Sequence, residues 1–159
     1  MARGEESGRR RRLPVLIAEE ELEVRTFVQL MRTLTRLEHR LEKALEGSGL
    51  SLPQFDVLAT LARAEGLTQQ ELAERLLVTK GNICGMIGRL EASGLVERRD
   101  DPEDRRANRL FLTRSGRTLL AKSFPSQHTA LKQIMGELSA TELQTLYQLL
   151  DRLEEGIGD

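Results

Sequence analysis

The chain has 159 residues, 24 basic and 25 acidic, with a net charge of −1, so it fits one domain with an appended helical layer, and bulk charge points to no polyanion partner. One cysteine (Cys84) and two histidines (His39, His128) exclude an intramolecular disulfide framework and argue against a structural zinc site. No apolar run approaches the ~20 residues of a membrane span, tryptophan is absent and aromatics are 3%, so the reading is a soluble, cytoplasmic protein with an aliphatic core, no metal and no cofactor.

Residues 1–14 hold five arginines, two glutamates, two glycines and a proline without periodicity, the composition of a disordered basic tail. From Ala18 to Glu46 neither glycine nor proline occurs, and Phe27, Leu30, Met31, Leu34, Leu37, Leu41 and Leu45 recur at steps of three and four. That pattern predicts one long amphipathic helix ending at Gly47-Ser48-Gly49. At ~1.5 Å per residue it runs roughly 40 Å, longer than a small globule needs, and an over-long apolar stripe calls for a partner helix.

Three helix starts are marked by capping boxes, Ser51 with Gln54, Thr68 with Glu71 and Ser139 with Glu142. In each, a hydroxyl and a side chain three residues later satisfy two otherwise orphaned amides. Apolar staples bracket them: Leu50 with Phe55, Leu67 with Leu72, Leu138 with Leu143. Helices are expected near 52–64, 69–76 and 140–155. A further helix opens at Val78-Thr79, runs to about Ala92 and stops at Gly94. Two short strands, 95–99 and 109–113, flank a polar segment with Pro102, giving a β-hairpin with a long loop. Thr113 caps a helix through Lys122, and Pro125 is expected to kink or interrupt it before it resumes to Gly136.

Two short helices joined at Leu77-Val78 and followed by a hairpin describe a helix-turn-helix with a wing. On the second helix Ile83, Ile87 and Leu90 face the core with Met86 beside them. The opposite face carries Gly81, Gly85 and Gly88, edged by Asn82 and Arg89 on one side and Cys84 on the other. A glycine inside a helix costs roughly 1 kcal/mol relative to alanine. A stripe of glycines on the solvent side makes sense if that face must approach another surface closely, such as the floor of a major groove; the alternative is a merely tolerant surface helix. Between Arg105 and Arg117 there are five arginines (105, 106, 109, 114, 117) and no acid, a basic strip suited to phosphate or a narrow minor groove.

The stretch Leu50 to Gly116 resembles the winged helix-turn-helix of the MarR family of transcription regulators. The residues that carry the resemblance are LSLPQF (50–55), LTQQELAERL (67–76), VTKGNICGMIGRLEASGLVERR (78–99) and DPEDRRANRLFLTRSG (101–116). The last contains the family's wing signature, Asp-x-Arg and, after five further residues, Leu-Thr, met here by Asp104, Arg106, Leu112 and Thr113. With the flanking helices the resemblance covers roughly residues 18–156. It implies a mainly α fold with a small β wing: a winged helix-turn-helix at 50–114 and a helical dimerisation region from 15–49 and 115–159. It further implies a homodimer on a pseudo-palindromic double-stranded DNA operator, acting as a repressor released by a small-molecule effector. Arg106 would enter the minor groove and Asp104 would fix the wing's geometry, with Arg105 in the same basic strip. Thr79, Lys80, Gly81, Asn82 and Arg89 would lie at or near the major groove or its phosphates, with Gly85 on the same face. The chain departs from the family at Gly81, Gly85 and Gly88, where serine, a polar or basic residue and aspartate are more usual. Few long side chains remain to read base edges, which shifts weight to DNA shape.

Competing readings are a winged helix that binds protein rather than DNA, and a thiol-sensing regulator using Cys84. A second cysteine to resolve a sulfenic acid is missing from the chain, which favours a packing role for Cys84. His39 is a candidate for an effector pocket, against the commoner surface or interface histidine, and Arg9–Arg12 for a DNA-contacting arm, against the favoured reading of a solubilising tail. The sequence holds no Ser-His-Asp set, no phosphate-binding glycine loop after a strand and no metal-ligand spacing, so an enzyme is not expected.

Overall fold

The structure is a computed structural model that describes residues 21–101 and 108–158. The elements in chain order are α1 (Leu22–Ala44), α2 (Leu52–Arg63), β1 (Leu67–Thr68), α3 (Gln69–Arg75), α4 (Lys80–Ala92), β2 (Val96–Asp100), β3 (Asn108–Leu112), α5 (Arg114–Met135) and α6 (Ala140–Ile157). Two compact units make up the chain, divided between Leu37 and Glu38. In the first, the described residues are helical from Leu22, and Phe27, Leu30, Met31 and Leu34 form an exposed apolar face. Ala18 to Glu20, where the sequence pattern already reads as helix, and the basic tail lie outside the described residues.

The second unit is a winged helix with further helices. All three anticipated capping boxes begin helices. Gln54 Oε1 accepts from the Ser51 amide at 3.0 Å. Glu71 accepts from the Thr68 amide at 2.7 Å and Glu142 from the Ser139 amide at 2.8 Å. The Thr68 amide and then its hydroxyl hold the Glu71 carboxyl below its usual range, and the Ser139 hydroxyl and amide do the same for Glu142. These caps therefore add stability above the ordinary carboxylate pKa and lose it as pH falls through the lowered value. The apolar faces of α2, α3 and α4 meet in one core, where Leu58, Leu61, Leu72, Ile83, Ile87, Leu90 and Leu110 are fully buried.

The hairpin closes on this core in antiparallel register, Val96 opposite Leu112 and Asp100 opposite Asn108. The sequence pattern does not reveal β1, which pairs Leu67 with Leu110 and Thr68 with Arg109 to give the sheet order β1-β3-β2. Two residues are too short for a period-2 signal, and Thr68 is at the same time the N-cap of α3. A second correction concerns Pro125: α5 runs unbroken from Arg114 to Met135 with the proline inside it. Around the missing amide, Ser123 donates its hydroxyl to the Leu119 carbonyl at 3.0 Å and Ser126 to the Ser123 carbonyl at 2.9 Å. Buried Gln127, one turn on, donates to the Leu41 carbonyl near the end of α1 at 2.5 Å. Such side-chain bonds and tertiary packing hold a helix through a proline.

Two backbone positions carry unusual constraints. At Gly116 in the first turn of α5, an added Cβ would stand 2.1 Å from the Leu95 carbonyl oxygen. Leu77, in the turn between α3 and α4, is 86% exposed and has φ +53, a left-handed conformation that costs an L-residue roughly 1–2 kcal/mol. Gly116→Ala should destabilise the protein by about 3 kcal/mol, because the obstacle is backbone and cannot rotate away. Leu77→Asn should stabilise it by about 0.5–1 kcal/mol, since asparagine tolerates this region and no buried contact is lost. Denaturant titration of both variants measures the two opposite shifts.

Candidate nucleic-acid interface

Helix α4 begins at the Thr79 N-cap, whose hydroxyl oxygen accepts from the Asn82 amide at 3.3 Å. Its inner face is Ile83, Ile87 and Leu90, with Met86 half-buried at the side. Thr79, Lys80, Gly81, Asn82, Cys84, Gly85, Gly88 and Arg89 are all exposed. Packing does not require the glycines. A Cβ at Gly81 or Gly88 would meet nothing within 4 Å, and at Gly85 only the Arg89 Nη1 at 3.7 Å. The helix thus forgoes roughly 1 kcal/mol per glycine without any gain within the chain. The first turn of α4 has no acidic residue, so no side-chain charge within it offsets the positive end of the helix dipole, which favours an anion.

Turning α4 against α3 depends on Ala73, which is 5% exposed and whose carbonyl accepts from the Val78 amide at 3.0 Å. After α4, Gly94 (φ +68) reverses the chain into β2. Thr113 then locks wing to helix: its amide donates to the Leu95 carbonyl at 3.1 Å and its hydroxyl to the Gly94 carbonyl at 2.6 Å. The same oxygen accepts from the Gly116 amide at 3.0 Å. The Thr of the wing signature is therefore a structural joint.

The arginine strip divides into different roles. Arg109 Nε lies 2.7 Å from Asp101 Oδ2, and its Nη1 donates to the Gly66 carbonyl at 3.0 Å. Arg117 is ion-paired with Glu65. Both are thus committed within the fold, which corrects the reading of five arginines as one free basic surface. Arg114 stays exposed at the start of α5. Arg105, Arg106 and Asp104 lie outside the described residues. On the outer sheet face Arg99 sits opposite Arg109, a like-charge pair that would repel. Each has its own carboxylate: Arg99 Nε donates to Glu97 at 2.8 Å, while its guanidinium also lies 4.3 Å from the Phe111 ring centroid. Sequence reasoning missed Asp101, which is 5% exposed. Set among Asp100, Pro102, Glu103 and Asp104, it carries no signal that separates it from a solvated loop acid.

Two cavities flank Phe124. One, of about 320 Å³, is lined by Leu41, Phe55, Asp56, Gln127 and His128 among others. There the Phe124 and His128 rings stack at 5.7 Å, and partial desolvation raises the Asp56 carboxyl. The other, of about 540 Å³, has Leu112, Leu120, Arg63 and Arg117 in its wall. His39 is exposed and lines neither, whereas His128 does. Among the described residues no group of three or more His, Cys, Asp or Glu could hold a metal, and no helix is long and apolar enough to cross a membrane.

Comparison with known proteins bears on this geometry. The sequence profile of the MarR family matches residues 48–107. The transcriptional activatory protein BadR of Rhodopseudomonas palustris is 33% identical over 86% of this chain and 81% of its own length. Among solved structures, the transcriptional repressor CouR bound to a 23-mer DNA duplex superposes with a TM-score of 0.75 at 28% identity, covering 86% of this chain and 94% of CouR. BpsR of Bordetella bronchiseptica, whose DNA binding is regulated by 6-hydroxynicotinic acid, gives a TM-score of 0.75 at 25% identity over 82% of this chain and 98% of BpsR.

Cys84 is a free, exposed thiol on the glycine face, so a maleimide should label the native protein readily. Duplex DNA should slow that labelling several-fold. Equal rates with and without DNA would take this face out of the interface.

Proposed function

This chain belongs to the MarR family and is a DNA-binding transcription regulator, and we propose that it works as a homodimer on a pseudo-palindromic operator, as a repressor released by a small-molecule effector. The observation that carries the DNA-contact assignment is the bare outer face of α4, where three exposed glycines have no packing reason. In this reading Gly81, Gly85 and Gly88 bring the backbone of α4 close to the major-groove floor. Thr79, Lys80, Asn82 and Arg89 reach base edges or phosphates around it. Arg105 and Arg106 of the wing meet phosphate and the minor groove, with Asp104 orienting them. Sparse base-edge readout makes DNA shape a large part of specificity. The winged-helix unit is assigned to residues 50–114 and the dimerisation region to 15–49 and 115–159.

Dimerisation is supported by apolar surface that a single chain leaves uncovered. Phe27, Leu30, Met31 and Leu34 on α1 are exposed, as are Leu146, Leu149, Leu150, Leu153 and Ile157 on α6. Contiguous faces of this kind mark protein interfaces. A two-fold partner would cover them and could set two copies of α4 about 34–36 Å apart, one turn of DNA. The cavities beside Phe124 are suited to an effector such as the acid that regulates BpsR, and a DNA partner fits a protein of the cytoplasm. The protein-binding and thiol-sensing alternatives lack a comparable observation.

Gly85→Leu tests the reading. Leucine should raise the stability of α4 by up to about 1 kcal/mol, while its branched side chain holds the helix off the bases and cuts DNA affinity at least tenfold. Thermal melting and DNA titration read the two opposite signs, and a variant that binds as well as the parent contradicts the assignment. Sedimentation at micromolar concentration should give twice the 17.9 kDa chain mass, and a single-chain mass contradicts the dimer.

A further inference from the structure

Arg109 occupies the middle strand of the sheet, paired with Thr68 on one side and Arg99 on the other. Thr68 is the N-cap of α3, where the helix-turn-helix begins. From this position one guanidinium holds Asp101, just beyond β2, and the Gly66 carbonyl, just before β1. The planar fork of arginine serves two acceptors in fixed directions, which the point charge of lysine cannot. Asp101 is nearly buried, so its carboxylate depends on compensation from a partner. On this edge the backbone link between β1 and β3 is two residue pairs long, extended by the Gly66 amide donating to the Leu110 carbonyl, so the side-chain tie braces the edge of the sheet opposite the Thr113 joint.

We propose that Arg109 and Asp101 are positioning residues for DNA recognition: anchored on the Gly66 carbonyl, their ion pair sets the angle between wing and helix-turn-helix without itself touching DNA. The proposal rests on the DNA-binding reading. Two recognition elements act together on one duplex only if their separation is fixed. A loosened sheet edge costs most on the sequence whose groove geometry both elements must match. Arg109 therefore determines discrimination between duplexes, and because Asp101 already balances its charge, it displaces no counterions from phosphate.

The test uses the full-length protein and two duplexes: one selected from a random-sequence pool by the wild-type protein, and a scrambled duplex of the same composition. Arg109→Gln alone takes a cationic partner from a nearly buried carboxylate, so the double variant Asp101→Asn/Arg109→Gln, which removes both charges of the pair, is the main probe. It should melt cooperatively and bind the selected duplex about tenfold more weakly, a difference of ~1.4 kcal/mol. Affinity for the scrambled duplex and the salt dependence of binding should both match wild type. Equal weakening on both duplexes would reduce the pair to a folding role and overturn the proposal. A salt slope lower by about one would make Arg109 a phosphate contact instead, and unchanged affinity for the selected duplex would also overturn it. If wild-type protein enriches no duplex at all, the DNA-binding reading falls and this proposal with it.

Discussion

Gly116 carries no side chain because the Leu95 carbonyl occupies the space where a Cβ would be, 2.1 Å away. That close approach is the joint on which the second unit is assembled. Leu95 follows the end of α4, and its carbonyl accepts from Thr113, which caps α5. The Thr113 hydroxyl reaches back to Gly94, whose positive φ ends the helix turn and starts β2. The exit from α4, the closing strand of the hairpin and the start of the longest helix of the unit therefore converge on a few backbone atoms. Polar groups at such a crossing must be paired or pay the full desolvation penalty, and here the Thr113 oxygen both donates and accepts.

Given this joint, α4 can afford an outer face with almost no side-chain substance. Ile83, Ile87 and Leu90 hold the helix to the core, so its position does not depend on helix propensity, and glycines that weaken it locally remain tolerable. The surface they expose is backbone and Cys84, with Lys80, Asn82 and Arg89 around it. Charge follows a matching economy. The net charge is −1, and arginines at the base of the wing are neutralised by Asp101, Glu97 and Glu65. Cationic character is left to the edges of α4, at Lys80 and Arg89, and, in the functional reading, to the wing.

Helices were legible in the sequence because their signals are local: a capping box spans four residues, and an apolar stripe repeats within a turn. The core face of α4 and its bare outer face follow from the same periodicity. What was hidden depends on contacts between distant parts of the chain. Strand β1 exists only because residues 109 and 110 lie beside it, and nearly buried Asp101 is paired with Arg109, eight positions on, which reaches Gly66 as well. Proline 125 misled for the related reason that local propensity forecasts a break, while Ser123, Ser126 and Gln127 hold the helix around it. Gly116 reads as an ordinary helix-start glycine until the Leu95 carbonyl is placed against it.

The central claim, that the exposed face of α4 and the wing grip duplex DNA, is tested most directly by the salt dependence of binding. Neutralising phosphates with lysine and arginine releases counterions, so log K falls linearly with log salt, by about 0.9 per phosphate contact on duplex DNA. Titrating wild-type protein onto a selected duplex across a range of salt should give a slope steeper than about −3, with the selected duplex bound far more tightly than a scrambled one. Weak binding with a flat salt dependence, equal for both duplexes, would contradict the account and leave this winged helix to a protein partner.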